Sequence, residues 1–130
     1  MLTPALEEAQ RLLRLARRDL STVRLLVPLP QASLAAIGFH AQQSTEKALK
    51  AVCTLRQLEF RRTHDLFVLG HLLVTNGSAL PVTLEQLRTL NPFAVEFRYD
   101  DEVAPDLSRD ETMAIAEHVL AWASTQVSEA

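Results

Sequence analysis

The sequence contains few of the residues that mark several common classes of protein. Its single cysteine, Cys53, excludes an internal disulfide and a cysteine-based zinc site. It has three glycines and no glycine-rich loop of the kind that cradles phosphate. Only 5% of its residues are aromatic, which disfavours generic binding of single strands through stacked bases. No apolar run approaches the roughly 18 residues that a membrane span requires.

The residues that are abundant favour helices. Leucine, alanine, glutamate and arginine lose little side-chain freedom in a helix. The length of 130 residues, 48% of them apolar, suits one domain over residues 1–130. The acidic, amphipathic start MLTPALEEAQ does not resemble a secretory signal. We therefore expect a helical protein located in the cytoplasm.

Charge is distributed unevenly along the chain. Residues 1–62 contain 10 Lys and Arg against 5 Asp and Glu, whereas residues 63–130 contain 3 against 11. Such polarity within a small domain predicts oriented association, either with a second copy or with a charged partner.

Apolar residues at three- and four-residue steps predict the first two helices. The first runs from about Thr3 to Val27, where the sequence Pro-Leu-Pro ends it. The second runs from near Gln31 to about Leu58. A line of small residues on it lets a neighbouring backbone approach closely: Gly38, Ala41, Thr45 and Ala48.

Capping residues predict where the third and fourth helices begin. Thr63 is the expected N-cap of the third helix, with Asp65 in its first turn. Thr83 and Gln86 form a capping box for the fourth. The Asn91–Pro92 step disfavours α geometry at the asparagine and predicts a kink or break, after which residues 94–97 resume helical packing.

A fifth helix completes the expected bundle. Ser108 and Glu111 form its capping box, and the polar tail 124–130 is expected to fray. Short loops make sequential helices antiparallel neighbours. The sequence therefore predicts an all-α, up-and-down bundle of four to five helices.

The histidines and carboxylates do not predict a metal site or a bound cofactor. The four histidines show no HxxxH or HExxH spacing, and zinc requires three or four ligands. We interpret the acidic stretch that contains residues 100–102 and Asp106 as a solvated loop. Cys53 lies in an apolar stretch of helix, where cysteine behaves as a small hydrophobic residue.

Three short polar groups are candidates for a binding site. They are His40, Gln43 and Lys47 with Glu46 and Lys50; His64 and Asp65; and Arg98 and Tyr99. In an antiparallel bundle the start of the third helix lies near the end of the second, and the broken fourth helix could reach the same groove. The alternative is that pairs such as Glu46–Lys50 are surface salt bridges worth under about 1 kcal/mol each.

Three stretches in order resemble the HEPN domain (higher eukaryotes and prokaryotes nucleotide-binding). They are QQSTEKALKAV at 42–52, THDLFVLGHLL at 63–73 and NPFAVEFRYDD at 91–101. The resemblance implies a helical bundle that commonly forms a homodimer. It also implies a nucleotide or RNA ligand, and a small nucleotidyltransferase encoded alongside as the partner in a toxin–antitoxin-type module.

Many HEPN proteins are metal-independent ribonucleases that use an arginine followed by a histidine after four to six residues. No Arg–His pair here has that spacing: positions 103–105, which follow Arg98 at that distance, are Val, Ala and Pro. We therefore expect a non-catalytic binding domain. Two alternatives are a ribonuclease that uses His64 and Arg98 in an atypical arrangement, and a purely structural dimerisation module.

The resulting hypothesis is a ligand groove shared by the second, third and fourth helices. Its predicted ligand-binding residues are Gln43, Lys47, Lys50, His64, Asp65, Arg98 and Tyr99. Lys47 and Arg98 would hold phosphate, the latter through its planar pair of donors. Gln43 and His64 would donate to ribose or base, and Tyr99 would stack on a base. The aspartate would cap its helix and orient the neighbouring imidazole.

Overall fold

The computed structural model describes residues 2–94 and 107–130. Within these ranges the regular elements are helices and there is no strand, which confirms the predicted all-α fold. The helices are α1 (Pro4–Leu26), α2 (Leu34–Leu55), α3 (Leu66–Thr75), α4 (Leu84–Leu90) and α5 (Arg109–Ser128). A 3-10 turn, Asn91–Ala94, follows α4 directly.

The central element is α2, which packs against α1, α3 and α5. It runs antiparallel to α1, because Ala16 and Asp19 contact Ser44 and His40 respectively. The Ser44 hydroxyl donates to the Ala16 carbonyl at 2.9 Å, so the two backbones lie close together. This close approach requires small side chains at the contact.

One apolar stripe on α1 faces this core. Its five buried residues, each at most 2% exposed, are Ala9, Leu13, Ala16, Leu20 and Val23. The helix begins as predicted, with the Thr3 hydroxyl accepting from the Leu6 amide and Pro4 in the first turn.

The predicted limits of α2 were wrong at both ends. The helix begins three residues later than Gln31, because the Ser33 side chain accepts from the Ala36 amide and caps it there. It ends before Leu58, because Gln57 takes a left-handed conformation (φ 58°). The Leu58 amide then donates to the Cys53 carbonyl at 2.9 Å, as in a Schellman motif.

Gly38, one of the small residues on α2, receives an aromatic ring. A Cβ atom at this position would lie 2.3 Å from the ring of Phe93, which is 2% exposed and belongs to the 3-10 turn. Even the smallest side chain would therefore displace the ring. This contact fixes the 3-10 turn against the first half of α2.

The N-cap of α3 is Asp65, which confirms the expectation that this aspartate caps its helix, whereas the assignment of Thr63 as the N-cap was wrong. The Asp65 carboxylate accepts from the amides of Phe67 and Val68, while the Thr63 hydroxyl accepts from the Asp65 amide at 3.0 Å. A carboxylate at this position offsets the positive end of the helix more effectively than a hydroxyl. The helix therefore begins at Leu66.

The capping box of α4 and the break after it are confirmed. Thr83 and Gln86 bond reciprocally, and α4 gives way to the 3-10 turn at the Asn91–Pro92 step. Asn91 nevertheless keeps α geometry (φ −56°, ψ −38°), because the chain tightens there instead of extending. The predicted continuation at 95–97 lies outside the described residues.

The start of α5 is confirmed by a complete capping box between Ser108 and Glu111. The expectation that residues 124–130 fray was wrong. The helix continues to Ser128, because Val127 is buried at 6% exposure. No helix of the described part is long and apolar enough to cross a membrane.

Candidate functional site

Gln43, Lys47 and Lys50 lie on one side of α2, spaced four and three residues apart, and all three are half-buried. Glu46 lies between them on the same helix. The contacts of these residues divide them between two carboxylates, one on α2 and one on α1.

The first carboxylate belongs to Glu46, whose side chain is 6% exposed. Its Oε2 pairs with Lys50 Nζ at 2.9 Å, and its Oε1 lies 2.9 Å from His64 Nδ1 and accepts from Gln42 Nε2 at 3.1 Å. The Gln43 amide donates to Gln42 Oε1 at 2.7 Å. We call these five residues the Glu46 cluster. It joins α2 to the chain segment that leads into α3.

Donors stabilise the buried charge of Glu46. Burial alone would raise the pKa of this carboxyl, but hydrogen bonds from Lys50, Gln42 and His64 outweigh it and hold the pKa below its ordinary value. The group is therefore ionised at neutral pH. The expected surface pair Glu46–Lys50 is formed, but its carboxylate is buried and is not a surface group.

The second carboxylate is Asp19 of α1, whose side chain is 15% exposed. Lys47 Nζ lies 2.5 Å from its Oδ2, and His40 Nδ1 lies 3.2 Å from its Oδ1. We call these three residues the Asp19 cluster. Lys47 is thus directed towards α1, and within the described residues it shares no bonding partner with His64.

Asp65 has a structural role at the start of α3. Besides capping the helix, its Oδ1 accepts from Asn91 Nδ2 at 2.9 Å, and Asn91 Oδ1 accepts from the Leu66 amide at 2.9 Å. Asp65 therefore fastens α3 to the 3-10 turn. The expectation that it orients the His64 imidazole was wrong, because Glu46 is the carboxylate that contacts that ring.

His64 is the most accessible of the predicted residues that the structure describes. Its side chain is 68% exposed, although Nδ1 is held by a buried carboxylate. The His64 carbonyl accepts from Gln42 Nε2 at 3.0 Å, which fixes the backbone as well. An imidazole bonded through one nitrogen keeps the other for a proton or a ligand.

Sequence reasoning missed Asp19, Gln42 and Asn91. Asp19 was recognisable as the single acid within residues 11–24, the part of α1 that contains its five arginines, and a pairing role is expected there. Gln42 and Asn91 gave no comparable signal. Their roles depend on contacts across 22 and 26 residues of sequence, respectively.

Comparison of the sequence with models of protein families shows which family the chain belongs to. The HEPN domain model matches residues 9–126, nearly the whole chain. The chain belongs to the HEPN domain family. Its structure is similar to the crystal structure of ST0689, an archaeal HEPN homologue, with a TM-score of 0.63 and 20% identity, covering 92% of this chain and 98% of that one. A search of curated proteins finds no significant match.

Two of the seven predicted ligand-binding residues of this HEPN domain belong to the segment 95–106. Arg98 and Tyr99 lie outside the described residues, as does the acidic stretch at 100–102 and Asp106. The structure thus assigns positions to five of the seven predicted residues. It divides them among the Glu46 cluster, the Asp19 cluster and the cap of α3.

Other chemistry has little support in the described part of this HEPN domain. No three His, Cys, Asp or Glu side chains there come together in a way that could hold a metal ion. Cys53 is fully buried, and burial raises the pKa of its thiol to about 11. It therefore stays protonated at neutral pH and is a poor nucleophile.

Proposed function

We propose that residues 1–130 form one HEPN domain that binds a nucleotide or RNA without cleaving it. The proposal includes a homodimer in the cytoplasm that acts with a small nucleotidyltransferase encoded alongside, in a toxin–antitoxin-type module. Its binding groove would contain residues of α2, the start of α3 and the segment after the 3-10 turn.

The observation that carries the proposal is the Glu46 cluster. The Gln42 amide, the Lys50 ammonium and the His64 imidazole, from two chain segments, meet around one buried carboxylate, with the imidazole open to solvent. Donors held in fixed positions lose little freedom when a ligand binds. The Gln42 amide is fully buried and committed within the cluster, so the groups left for a ligand are those of Gln43, Lys50 and His64, whose types suit phosphate, ribose hydroxyls and base edges.

The pairing of both lysines with carboxylates does not remove them from this groove. An ammonium has three donors, and Lys50 uses one on Glu46 while Lys47 uses one on Asp19. The remaining donors can bind a phosphate oxygen. Because each charge is balanced by its carboxylate, much of the attraction would have to come from other cations, and Arg98 is proposed for that role.

The test is a titration of a short single-stranded RNA and of a mononucleotide onto the wild type and onto Lys47→Gln, Lys50→Gln and Arg98→Gln. We expect saturable binding that each substitution weakens by about tenfold, the loss of one charge-assisted contact. The control is Arg14→Gln, which removes one exposed charge from α1. The groove assignment fails if the wild type does not bind or if the control loses as much affinity as the others.

A specific observation favours one alternative, a ribonuclease. A histidine oriented by a buried carboxylate, as His64 is by Glu46, is an arrangement that general acid–base catalysts use. In that case Arg98 would stabilise the charge that develops on the phosphate.

RNA cleavage in the presence of a chelator separates the two functions. Cleavage by the wild type that disappears in His64→Ala identifies a metal-independent ribonuclease. Intact RNA that is bound by the wild type identifies a binding domain. A protein that forms a dimer but neither binds nor cleaves RNA would be a structural dimerisation module.

The partner can be tested separately. Co-expression with the neighbouring gene product, followed by affinity purification and light scattering, should give a complex that contains a dimer of this chain. The recovery of a nucleotidyltransferase would support the proposed module. A monomer that elutes alone would contradict both the homodimer and the partner.

A further inference from the structure

A cleft opens between the connection from α2 to α3 and the exposed side of α3. It encloses about 630 Å³ and is lined by residues 59–63 on one wall and by α3 residues such as Val68, His71 and Leu72 on the other. This volume lies within the range of small-molecule sites, about 300–1,000 Å³. Of the residues predicted for the α2 groove, the cleft contains only the capping Asp65.

Two exposed arginines line this cleft. Arg61 and Arg62 are exposed, and neither forms an ion pair or a side-chain hydrogen bond with any residue of the described ranges. Of the two acids in the lining, Asp65 is occupied by the amides of α3 and by Asn91. The lining therefore contains two guanidinium groups and one carboxylate, Glu59, that has no partner within the described residues. Guanidinium groups match the geometry of phosphate.

Both walls offer apolar surface to a flat ring. Phe60 supplies it on the wall formed by the connection, and Val68 and Leu72 supply it on the wall formed by α3. His71 lines the same wall and lies parallel to Phe67, with 6.1 Å between ring centres and 13° between ring planes. Phe67 is not part of the lining, so it supports the imidazole from outside the cleft.

We propose that this cleft is a second ligand site of the domain, which binds one nucleotide unit. Its phosphate is held by Arg61 and Arg62, and its base lies against Phe60 and the side of α3 that carries His71. The ligand class rests on the proposed function. The lining of the site shares only Asp65 with the α2 groove, although Lys50 Nζ of that groove lies 6.0 Å from the centre of the Phe60 ring. Free mononucleotide and one unit of an RNA strand share this chemistry.

Amide chemical shifts measured by NMR test the location. On titration of AMP into ¹⁵N-labelled protein, we expect saturable shifts in residues 59–63 and 68–75. Adenosine, which lacks the phosphate, should produce them only at much higher concentration. Shifts confined to residues 43–50 would overturn the cleft and leave the proposed function standing. Titrations of AMP and of a four-nucleotide RNA that shift neither segment would overturn both.

Matched charge variants test the mechanism. Arg61→Gln/Arg62→Gln should weaken AMP binding at the cleft by about tenfold or more, because both charge-assisted contacts are lost. Arg14→Gln/Arg18→Gln, with the same charge change on the exposed side of α1, should weaken it less than about twofold. Equal losses in the two variants would show only general electrostatic attraction and would overturn the site.

The four-nucleotide RNA distinguishes the two sources of the ligand. Tighter binding than AMP, with shifts in the same residues, supports a strand that passes through the cleft. Equal affinity supports a free mononucleotide. An RNA that binds while leaving residues 59–63 unshifted would contradict the cleft as part of any RNA surface.

Discussion

The Asp19 cluster and the Glu46 cluster contain the same core of side-chain types, a carboxylate with one lysine and one histidine, but they differ in exposure. In the Asp19 cluster the imidazole and the ammonium are similarly covered, at 28% and 26% exposed. In the Glu46 cluster the carboxylate is 6% exposed and the ammonium 17%, whereas the imidazole is 68% exposed.

This difference separates a cluster that mainly connects two helices from one that presents an exposed imidazole to a ligand. The imidazole and the ammonium of the Asp19 cluster both come from α2 and contact the carboxylate on α1, so the cluster holds two packed helices together. The Glu46 cluster anchors an exposed imidazole on a buried charge. A buried charge is tolerated only when several donors satisfy it, and one of these donors, the Gln42 amide, also bonds the His64 carbonyl.

The largest expected effect is the loss of the buried carboxylate. Glu46→Leu should lower the free energy of unfolding by about 3 kcal/mol, because Lys50 loses its partner while its side chain remains mostly buried. Asp19→Leu should cost about 1 kcal/mol, since a quarter of its lysine still contacts water. Urea unfolding followed by circular dichroism measures both.

The double variant Glu46→Leu/Lys50→Met serves as the control for the first prediction. Removing both charges leaves no unpaired ion, so the double variant should be more stable than Glu46→Leu alone. If Asp19→Leu is instead the more destabilising single substitution, burial does not determine the difference between the clusters.

A smaller effect is expected on acid stability. The pKa of Glu46 is lower in the folded state than in the unfolded state. At pH values between these two pKa values the unfolded chain binds more protons than the folded chain. The free energy of unfolding therefore rises with pH in that range. The contribution is fully present above about pH 4.3 and is lost as the pH falls through the folded pKa. The difference in stability between the wild type and Glu46→Gln should therefore shrink between pH 6 and pH 3. A constant difference would mean that the donors do not favour the ionised form.

Much of the fold could be predicted from local sequence signals. The capping boxes at Thr83 and Ser108 and the break at Pro92 each depend on residues within four positions, so they are visible in the sequence. The end of α2 was not visible, because Gln57 takes a left-handed conformation that usually indicates glycine. The N-cap of α3 was misassigned between two residues that both favour capping.

The candidate site was less predictable, for a physical reason. The sequence shows which polar residues share a helix face, and Gln43, Lys47 and Lys50 do lie on one side of α2. It does not show which carboxylate each cation meets, because that depends on the packing of α1 against α2. Lys47 consequently pairs with Asp19 of another helix, 28 residues away in sequence, and Lys50 pairs within its own.

The smallest expected effect on stability is that of removing the His64 ring of the Glu46 cluster, compared with the His40 ring of the Asp19 cluster. His64→Ala should change the free energy of unfolding by less than about 0.5 kcal/mol, because the ring is exposed and Glu46 keeps its bonds from Lys50 and Gln42. His40→Ala should cost about 1 kcal/mol, because that ring bonds Asp19 and also packs edge-on against Phe39 at 5.2 Å. Thermal and urea unfolding of both variants at pH 7 provide the comparison. An equal loss of stability would make the His64 imidazole a structural group and would remove the reason to expect it at a ligand.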